Sequence, residues 1–393
     1  MHTLFTLEDH YSLTIEKGDS VVSLRIHPRK GNDAVEVSEM LNAWAEQAEK
    51  YHSSEISRED YDKWRYNYPK YDETSGYVKV PSKDLSDQWW KFSSTNGKIC
   101  KPSIICFVYI ELYRRCYMKS VGIVACSDAQ KTEWKEQNQN LINFLKKAGN
   151  NVFVSNCIYE KMGVLSGSGR ERANELMKLF SNPDVEAIYD ISGGDIANEV
   201  LDELDFDQIK NSNATFWGYS DLTTVINAIY AQTGKSSVLY QIKNLVYGDY
   251  QDTQRQRFIN KSELFNPSFR FIQGNSIRGV VVGGNIRCFL KLAGTKYFPD
   301  VTNKILLIES LRGKVPQMIT YLSQLKSCGV FDKIKGILLG TFSEMEANSC
   351  EPDIISLVRL FAGNDIPIAQ TKEIGHNNNS KAIWIGKEIK INK

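Results

Sequence analysis

From residue 119 to about 240 the chain alternates short apolar runs with amphipathic stretches. VGIVACS (121–127) is apolar and ends in small polar residues. KTEWKEQNQNLINFLKKAGN (131–150) puts Leu141, Phe144 and Leu145 on one helical face and stops at Gly-Asn. NVFVSN (151–156) reads as a strand, GRERANELMKLFSNP (169–183) as a helix ending before Pro183, and VEAIYDIS (185–192) as a further apolar strand. GGDIANEVLDELD (193–205) is a Gly-Gly turn into a helix. ATFWGYS (214–220) is a strand, and DLTTVINAIYAQTG (221–234) a helix closed by Gly234. Strands and helices of these lengths in alternation predict right-handed βαβ units and a mostly parallel sheet.

Beyond 240 the pattern loosens. QIKNLVYGDYQDTQRQRFINKSELFNPS (241–268) is polar and predicts a bridge between two domains. The apolar runs GVVVGG, KILLIES, IKGILLGTF, IPIAQ and AIWIG follow, with a helix at VPQMITYLSQLKSCG (315–329). They predict a second domain, mixed α/β and strand-rich. Before residue 118 the periodicity is poor, and charged and aromatic residues crowd together, as in YDKWRYNYPKYDETSGYVKV and SDQWWKF. The clearest element there is a helix over 37–52, with Val37, Met40, Leu41, Trp44 and Ala48 near helical spacing. IICFVYI (104–110) reads as a buried strand or short anchoring helix, since a membrane span needs roughly 20 apolar residues. The expected organisation is an arm or accessory region over 1–117, a parallel α/β domain over 118–240, a linker over 241–269 and a C-terminal domain over 270–393.

Composition narrows the function classes. A formal net charge of +1 offers no global electrostatic attraction to nucleic acid or a membrane. The opening MHTLFTLEDHYS has acidic residues where a secretory signal is apolar, so a cytoplasmic location is expected. Eight cysteines are scattered without a CxxC pair, mostly inside apolar runs such as those around Cys126 and Cys288, and read as reduced, buried thiols. No His/Cys cluster has ligand spacing, so neither a metal nor an organic cofactor is expected.

The chemistry is expected at the carboxyl ends of the parallel strands, where open α/β sheets bind ligands. Two such ends stand out: SGGD (192–195) and YSD (219–221). Ser220 has two readings there. It is either an N-cap of the following helix or a hydroxyl projected into a cleft at a strand-to-helix turn, with the Asp221 N–H aimed at an oxyanion and the Gly194 N–H as a second donor. The Asp221 side chain is expected to cap its own helix. A serine needs a base near neutral pH, and from residue 53 onward His376 is the only histidine. It lies in a polar turn, EIGHNNNSKAIWIG. Glu309, ending KILLIE, is the candidate to orient that imidazole; its other reading is a salt bridge to Arg312 or Lys314. Asn285 and Arg287, in GGNIRC, are candidates for a substrate carboxylate, with a surface or interdomain ion pair as the competing role of Arg287.

SGGDIANEVLDELDFDQIKNSNATFWGYSDLTTVINAIYAQTG, VVVGGNIRCFLKLAGTKYFPD, KILLIES and IPIAQTKEIGHNNNSKAIWIG, in this order over about 118–393, resemble the LD-carboxypeptidase family of serine peptidases, which includes the microcin C immunity proteins. The resemblance implies a nucleophile at Ser220, an acid at Glu309 and a base at His376. It also implies an oxyanion hole from the Asp221 N–H and that of Gly193 or Gly194. A parallel-sheet N-terminal domain and a smaller C-terminal domain would enclose the site, often in a homodimer. The implied activity releases a terminal D-alanine from cytoplasmic murein tetrapeptides in peptidoglycan recycling. Two alternatives stand beside it. One is hydrolysis of a peptidyl-nucleotide antibiotic, with Tyr240, Tyr247 and Tyr250 as a possible shelf for the base. The other is a non-catalytic module binding an anion at the Gly-Gly turn and helix N-terminus.

Overall fold

The computed structural model describes residues 13–17, 22–26, 43–67 and 119–393, and the chain forms two units, 1–107 and 108–393. In the first, Leu13–Lys17 pairs antiparallel with Val22–Ile26. A helix covers 43–52 and another Arg58–Asn67. Trp44 Nε1 donates to the Tyr61 hydroxyl at 2.9 Å, and the Tyr51 and Tyr61 rings stack 5.0 Å apart. The expected helix over 37–52 is therefore seen in its second part. Val37, Met40, Leu41 and the run at 104–110 lie outside the described residues.

Among its described residues the second unit holds two six-stranded sheets. The first contains β1 (Ser120–Val124), β2 (Asn151–Val154), β3 (Val185–Asp190), β4 (Thr215–Gly218) and β5 (Ser237–Leu239), all parallel. The second contains β6 (Arg270–Gln273), β7 (Ser276–Asn285), β8 (Ile305–Ser310), β9 (Gly336–Phe342) and β10 (Ile368–Gln370). Strands β7 to β10 are parallel, and β6 is antiparallel on β10. Two further strands, β11 (Ile383–Ile385) and β12 (Glu388–Asn392), end the chain in different sheets: β11 pairs antiparallel with β5, and β12 with β7. AIWIG thus belongs to the first sheet, not to the strand set of the second domain. A three-residue strand buried at both ends satisfies either sheet; the antiparallel ladder Ile383↔Leu239, Trp384↔Val238, Ile385↔Ser237 decides.

The parallel strands follow their sequences. Every residue of β8, ILLIES, is buried, as expected for a strand covered on both faces. Helix α1 (Lys135–Lys147) buries Leu141 and Leu145. Helix α2 (Gly169–Phe180) starts in a capping box, with Ser168 accepting the Glu171 N–H and the Glu171 carboxylate accepting the Ser168 N–H. The helix expected over 193–205 is reduced to a 3-10 segment, Ala197–Glu203, because Asp205 caps a separate helix at Phe206–Asn211.

Helix α3 (Thr223–Thr233) ends at Gly234 in the left-handed conformation and buries every residue from Thr223 to Ile229. That burial is needed because α3 lies between the sheets. Asn227 exchanges two hydrogen bonds of 2.9 Å with the Gly283 backbone on β7, and the Asn285 N–H donates to Thr223 Oγ1 at 3.0 Å. Phe216, Val225 and Leu239 share one apolar core with Val281, Leu307 and Ile383. The polar segment after β5 does more than bridge. It forms helix α4 (Gln251–Ile259) and short turns at Ile242–Leu245 and Lys261–Leu264, and Phe258 and Leu264 pack with Trp217 against the first sheet.

Candidate active site

The carboxyl ends of the parallel strands of the two sheets converge, and the proposed triad stands there. After β4, Tyr219 is still extended, but Ser220 takes φ 54°. This left-handed conformation costs an L-residue roughly 1–2 kcal/mol, and such strain in a non-glycine residue is characteristic of functional turns. Ser220 opens a three-residue 3-10 helix, Ser220–Leu222, whose N-cap is Tyr219 and which has no side-chain cap. The capping role for Ser220 is therefore not the one it has. Its Oγ lies 3.1 Å from His376 Nε2, and His376 Nδ1 lies 2.6 Å from Glu309 Oε2. The imidazole and carboxylate are 6% and 1% exposed. An ionised carboxylate only accepts, so Nδ1 carries the proton and Nε2 is free to accept from the Ser220 hydroxyl.

Each group is held by its own element. Glu309 is the penultimate residue of β8, at a break in register against β9 between Ile308 and Ser310; such irregularities re-aim a side chain. Among the described residues its ion partner is His376, not Arg312 or Lys314. His376 follows Gly375, whose φ of 135° would strain any other residue; a Cβ there would fall 2.0 Å from Thr341 Oγ1. The histidine loop is latched by α4 and by the Ile242–Leu245 turn before it. Gln254 Nε2 donates to the carbonyls of Asn378 and Ser380, both at 2.8 Å, and Asn244 Nδ2 to Ser380 Oγ at 3.0 Å. The Tyr219 ring lies 4.4 Å from that of His376. Burial first, and the negative charge of Glu309 second, push the Tyr219 hydroxyl well above its ordinary pKa, so it stays neutral.

The Gly-Gly turn faces the serine. A Cβ on Gly193 would lie 4.0 Å from Ser220 Cβ, and Gly194 has φ 131°, with Asp128 packed where a side chain would be. Asp128 N–H donates to the Gly193 carbonyl at 3.2 Å, and Asp195 N–H to Asp128 Oδ1 at 2.9 Å. Among the described residues no acceptor takes the Gly193 or Gly194 N–H. The Asp221 N–H precedes the first bond of its 3-10 helix, Leu222 N–H to the Tyr219 carbonyl. All three N–H groups thus lie at strand ends around Ser220.

The Asp221 side chain does not cap its own helix. It is fully buried and accepts from Ser127 Oγ at 2.7 Å and from the Ala197 N–H at 2.8 Å, and it pairs with Lys291 Nζ at 2.5 Å. A local preference for capping gives way to three donors distant in sequence. Asn285 caps the short helix α5 (Ile286–Leu290) through the Cys288 N–H. Arg287 pairs with the Asp195 carboxylate and donates to the Gly194 carbonyl at 3.1 Å, so it takes the interdomain role. Tyr240 is buried with its hydroxyl on Gln254, which removes it from any ligand shelf, while Tyr247 and Tyr250 are about half exposed. Cys126, Cys157 and Cys288 are buried free thiols, pushed up in pKa chiefly by burial. Lys291, Ser127 and Gln254 were not singled out in the sequence. The contacts that tie them to Asp221 and to the histidine loop span 70 to 126 positions, and no local signal marks them.

Among the described residues no helix is long and apolar enough to cross a membrane. Compared with known proteins, the chain is 26% identical over 288 residues to a probable murein peptide carboxypeptidase of Bacillus subtilis, covering 70% of this chain and 88% of the relative. It is 26% identical over 287 residues to the microcin C7 self-immunity protein MccF of Escherichia coli, covering 64% of this chain and 83% of the relative. A solved structure of MccF in complex with glutamyl sulfamoyl guanosine superposes with a TM-score of 0.62 at 23% identity, covering 70% of this chain and 96% of that one. The two α/β sheets are those of that fold. The profile of the LD-carboxypeptidase N-terminal domain matches residues 121–240 and that of the C-terminal domain residues 278–391, and the chain belongs to the LD-carboxypeptidase family of peptidases.

Proposed function

We propose that the chain is a serine carboxypeptidase in which Ser220 is the nucleophile, His376 the general base and acid, and Glu309 the group that orients and stabilises the imidazolium. The observation that supports it is the unbroken chain from Ser220 Oγ through His376 to Glu309, at 3.1 and 2.6 Å. Ser220 Oγ attacks the scissile carbonyl carbon as His376 Nε2 takes its proton. The resulting oxyanion is received by the N–H groups of Asp221 and of Gly194 or Gly193. Collapse breaks the C–N bond, and the Nε2 proton leaves with the amine. Water, deprotonated by the same nitrogen, then attacks the acyl ester and returns Ser220.

The substrate we propose is a murein tetrapeptide, cleaved before its terminal D-alanine in the cytoplasm during peptidoglycan recycling. The likeness to the murein peptide carboxypeptidase supports this. The test is release of free D-alanine from L-alanyl-γ-D-glutamyl-meso-diaminopimelyl-D-alanine by wild type beside Ser220→Ala. Release by the first and none by the second is the expected result; equal release by both refutes the role of Ser220. A second reading, hydrolysis of a peptidyl-nucleotide antibiotic, is favoured by the likeness to MccF and by the exposed rings of Tyr247 and Tyr250. Turnover of aspartyl sulfamoyl adenosine with no release from the tetrapeptide would favour it.

A further inference from the structure

The two groups of N–H donors assigned to the oxyanion stand on separate strand ends, after β3 and after β4. Their spacing has to be fixed by something other than a shared element. Two cross-links do this within the first sheet: Asp221 Oδ2 accepts the Ala197 N–H directly, and the same oxygen accepts from Ser127 Oγ after β1, whose own N–H donates to Ser192 Oγ after β3 at 2.9 Å. The third comes from the other sheet. Lys291 directly follows α5, whose first turn is anchored where the Asn285 N–H meets Thr223 Oγ1. Its ammonium donates to Asp221 Oδ1 at 2.5 Å and to the Asp195 carbonyl at 2.8 Å. One cation therefore touches both the residue after the nucleophile and the residue after the Gly-Gly turn.

The charges make this contact more than a brace. Asp221 is 0% exposed. Its carboxylate stands one residue from the serine, where a negative oxygen develops during acylation. A buried, uncompensated carboxylate would repel that oxygen as well as lose the turn it holds. Asp128, on the opposite side of the Gly-Gly turn, is itself pushed up in pKa by burial and by the charge of Asp221, so negative charge already crowds this corner. Lys291, with its side chain 20% exposed, is the cation in direct contact with Asp221.

We propose that Lys291 is a positioning residue of the oxyanion hole: by bridging Asp221 to the Asp195 carbonyl it holds the donors after β3 and β4 at their working separation, and so makes acylation depend on docking of the second sheet. The proposal rests on the reading of Ser220 as nucleophile, and the test separates the two. Full-length wild type, Lys291→Met, Lys291→Arg and Ser127→Ala are compared by kcat and KM on the tetrapeptide. They are also compared by the second-order rate at which a fluorophosphonate probe labels Ser220, which needs the serine, base and oxyanion hole but no particular substrate.

Losing one oxyanion donor typically costs about 100- to 1000-fold. A displaced donor should cost less, so Lys291→Met is expected to lower kcat and the labelling rate about 10- to 100-fold with KM within about threefold. Lys291→Arg should restore both to within about fivefold. Ser127→Ala, which loosens the same carboxylate from the far side, should lower both about 3- to 10-fold and keeps the question answerable if Lys291→Met does not fold. Labelling of Lys291→Met and Ser127→Ala at the wild-type rate overturns the proposal while leaving the nucleophile in place. A rise in KM alone, or equal loss in Lys291→Arg and Lys291→Met with lowered thermal midpoints, overturns it too. Wild type that does not label at Ser220 removes the nucleophile reading and this proposal with it.

Discussion

Replacing Glu309 by Gln separates chemistry from stability at one atom. The substitution keeps the shape of the side chain and removes its charge. In the native protein Oε2 accepts from His376 Nδ1 at 2.6 Å, while Oε1 makes no hydrogen bond among the described residues. A Gln amide has no second contact to hold its oxygen toward the imidazole. When its NH2 faces Nδ1 instead, the imidazole proton moves to Nε2, and Ser220 loses its acceptor. When the oxygen faces Nδ1, the tautomer is right but the imidazolium forms in a dry site without its counter-charge. The first effect alone costs about 10⁴ in kcat in a related triad arrangement, so Glu309→Gln should lower kcat about 10³- to 10⁴-fold, or about 4–5.5 kcal/mol of barrier. Stability should move the other way or not at all. A carboxylate 1% exposed beside a neutral imidazole is desolvated with little return, and an uncharged isostere relieves that cost. The assay is D-alanine release with thermal unfolding of the same samples. A fall in kcat below tenfold refutes the triad role of Glu309. A loss of stability above about 2 kcal/mol, the range of a broken buried network, makes it a structural residue.

Three further outcomes follow from named contacts. Ser220→Gly should be more stable than Ser220→Ala by about 1 kcal/mol, because only Gly relaxes at φ 54°; both should be dead to the fluorophosphonate, and a more stable Ala variant would show that the turn is unstrained. Gly375→Ala, whose Cβ would meet Thr341 Oγ1 at 2.0 Å, should displace His376 and cost about 3 kcal/mol or more together with over 100-fold in kcat; full activity would mean the loop adapts freely. Burial lowers the Lys243 ammonium to about 8 from its ordinary 10.5. The unfolded chain then binds the extra proton between these values, so stability rises as pH climbs from about 8 to 10.5, by up to about 3 kcal/mol. Lys243→Met should flatten that rise in urea midpoints and stabilise the protein at pH 7; an unchanged pH slope would refute the assignment.

The three residues of the proposed triad were legible because each leaves a local trace. Ser220 and Glu309 end apolar runs, and His376 follows a glycine that the backbone requires. The neighbouring constraints left none. Asp221 at a helix start carries the signature of a cap, and only the assembled fold shows Ser127, Ala197 and Lys291 claiming its oxygens. AIWIG has the same apolar content whichever sheet it joins, so its exchange into the first sheet was invisible.

The segment over 241–268 shows why polarity misleads most where function is near. Its polar composition predicts a bridge, since polar residues commonly face water. Yet Asn244 and Gln254 are both fully buried, and their amides are directed at the Ser380 hydroxyl and the Asn378 and Ser380 carbonyls behind His376. A loop that presents a catalytic imidazole cannot satisfy its backbone in a sheet or helix, so its carbonyls need side-chain donors from elsewhere. Those donors read as solvent-facing residues in a hydrophobicity pattern. The polar stretch read as an interdomain bridge thus supports the proposed general base, and Gln254→Leu is expected to lower kcat for D-alanine release although Gln254 is outside the proposed triad.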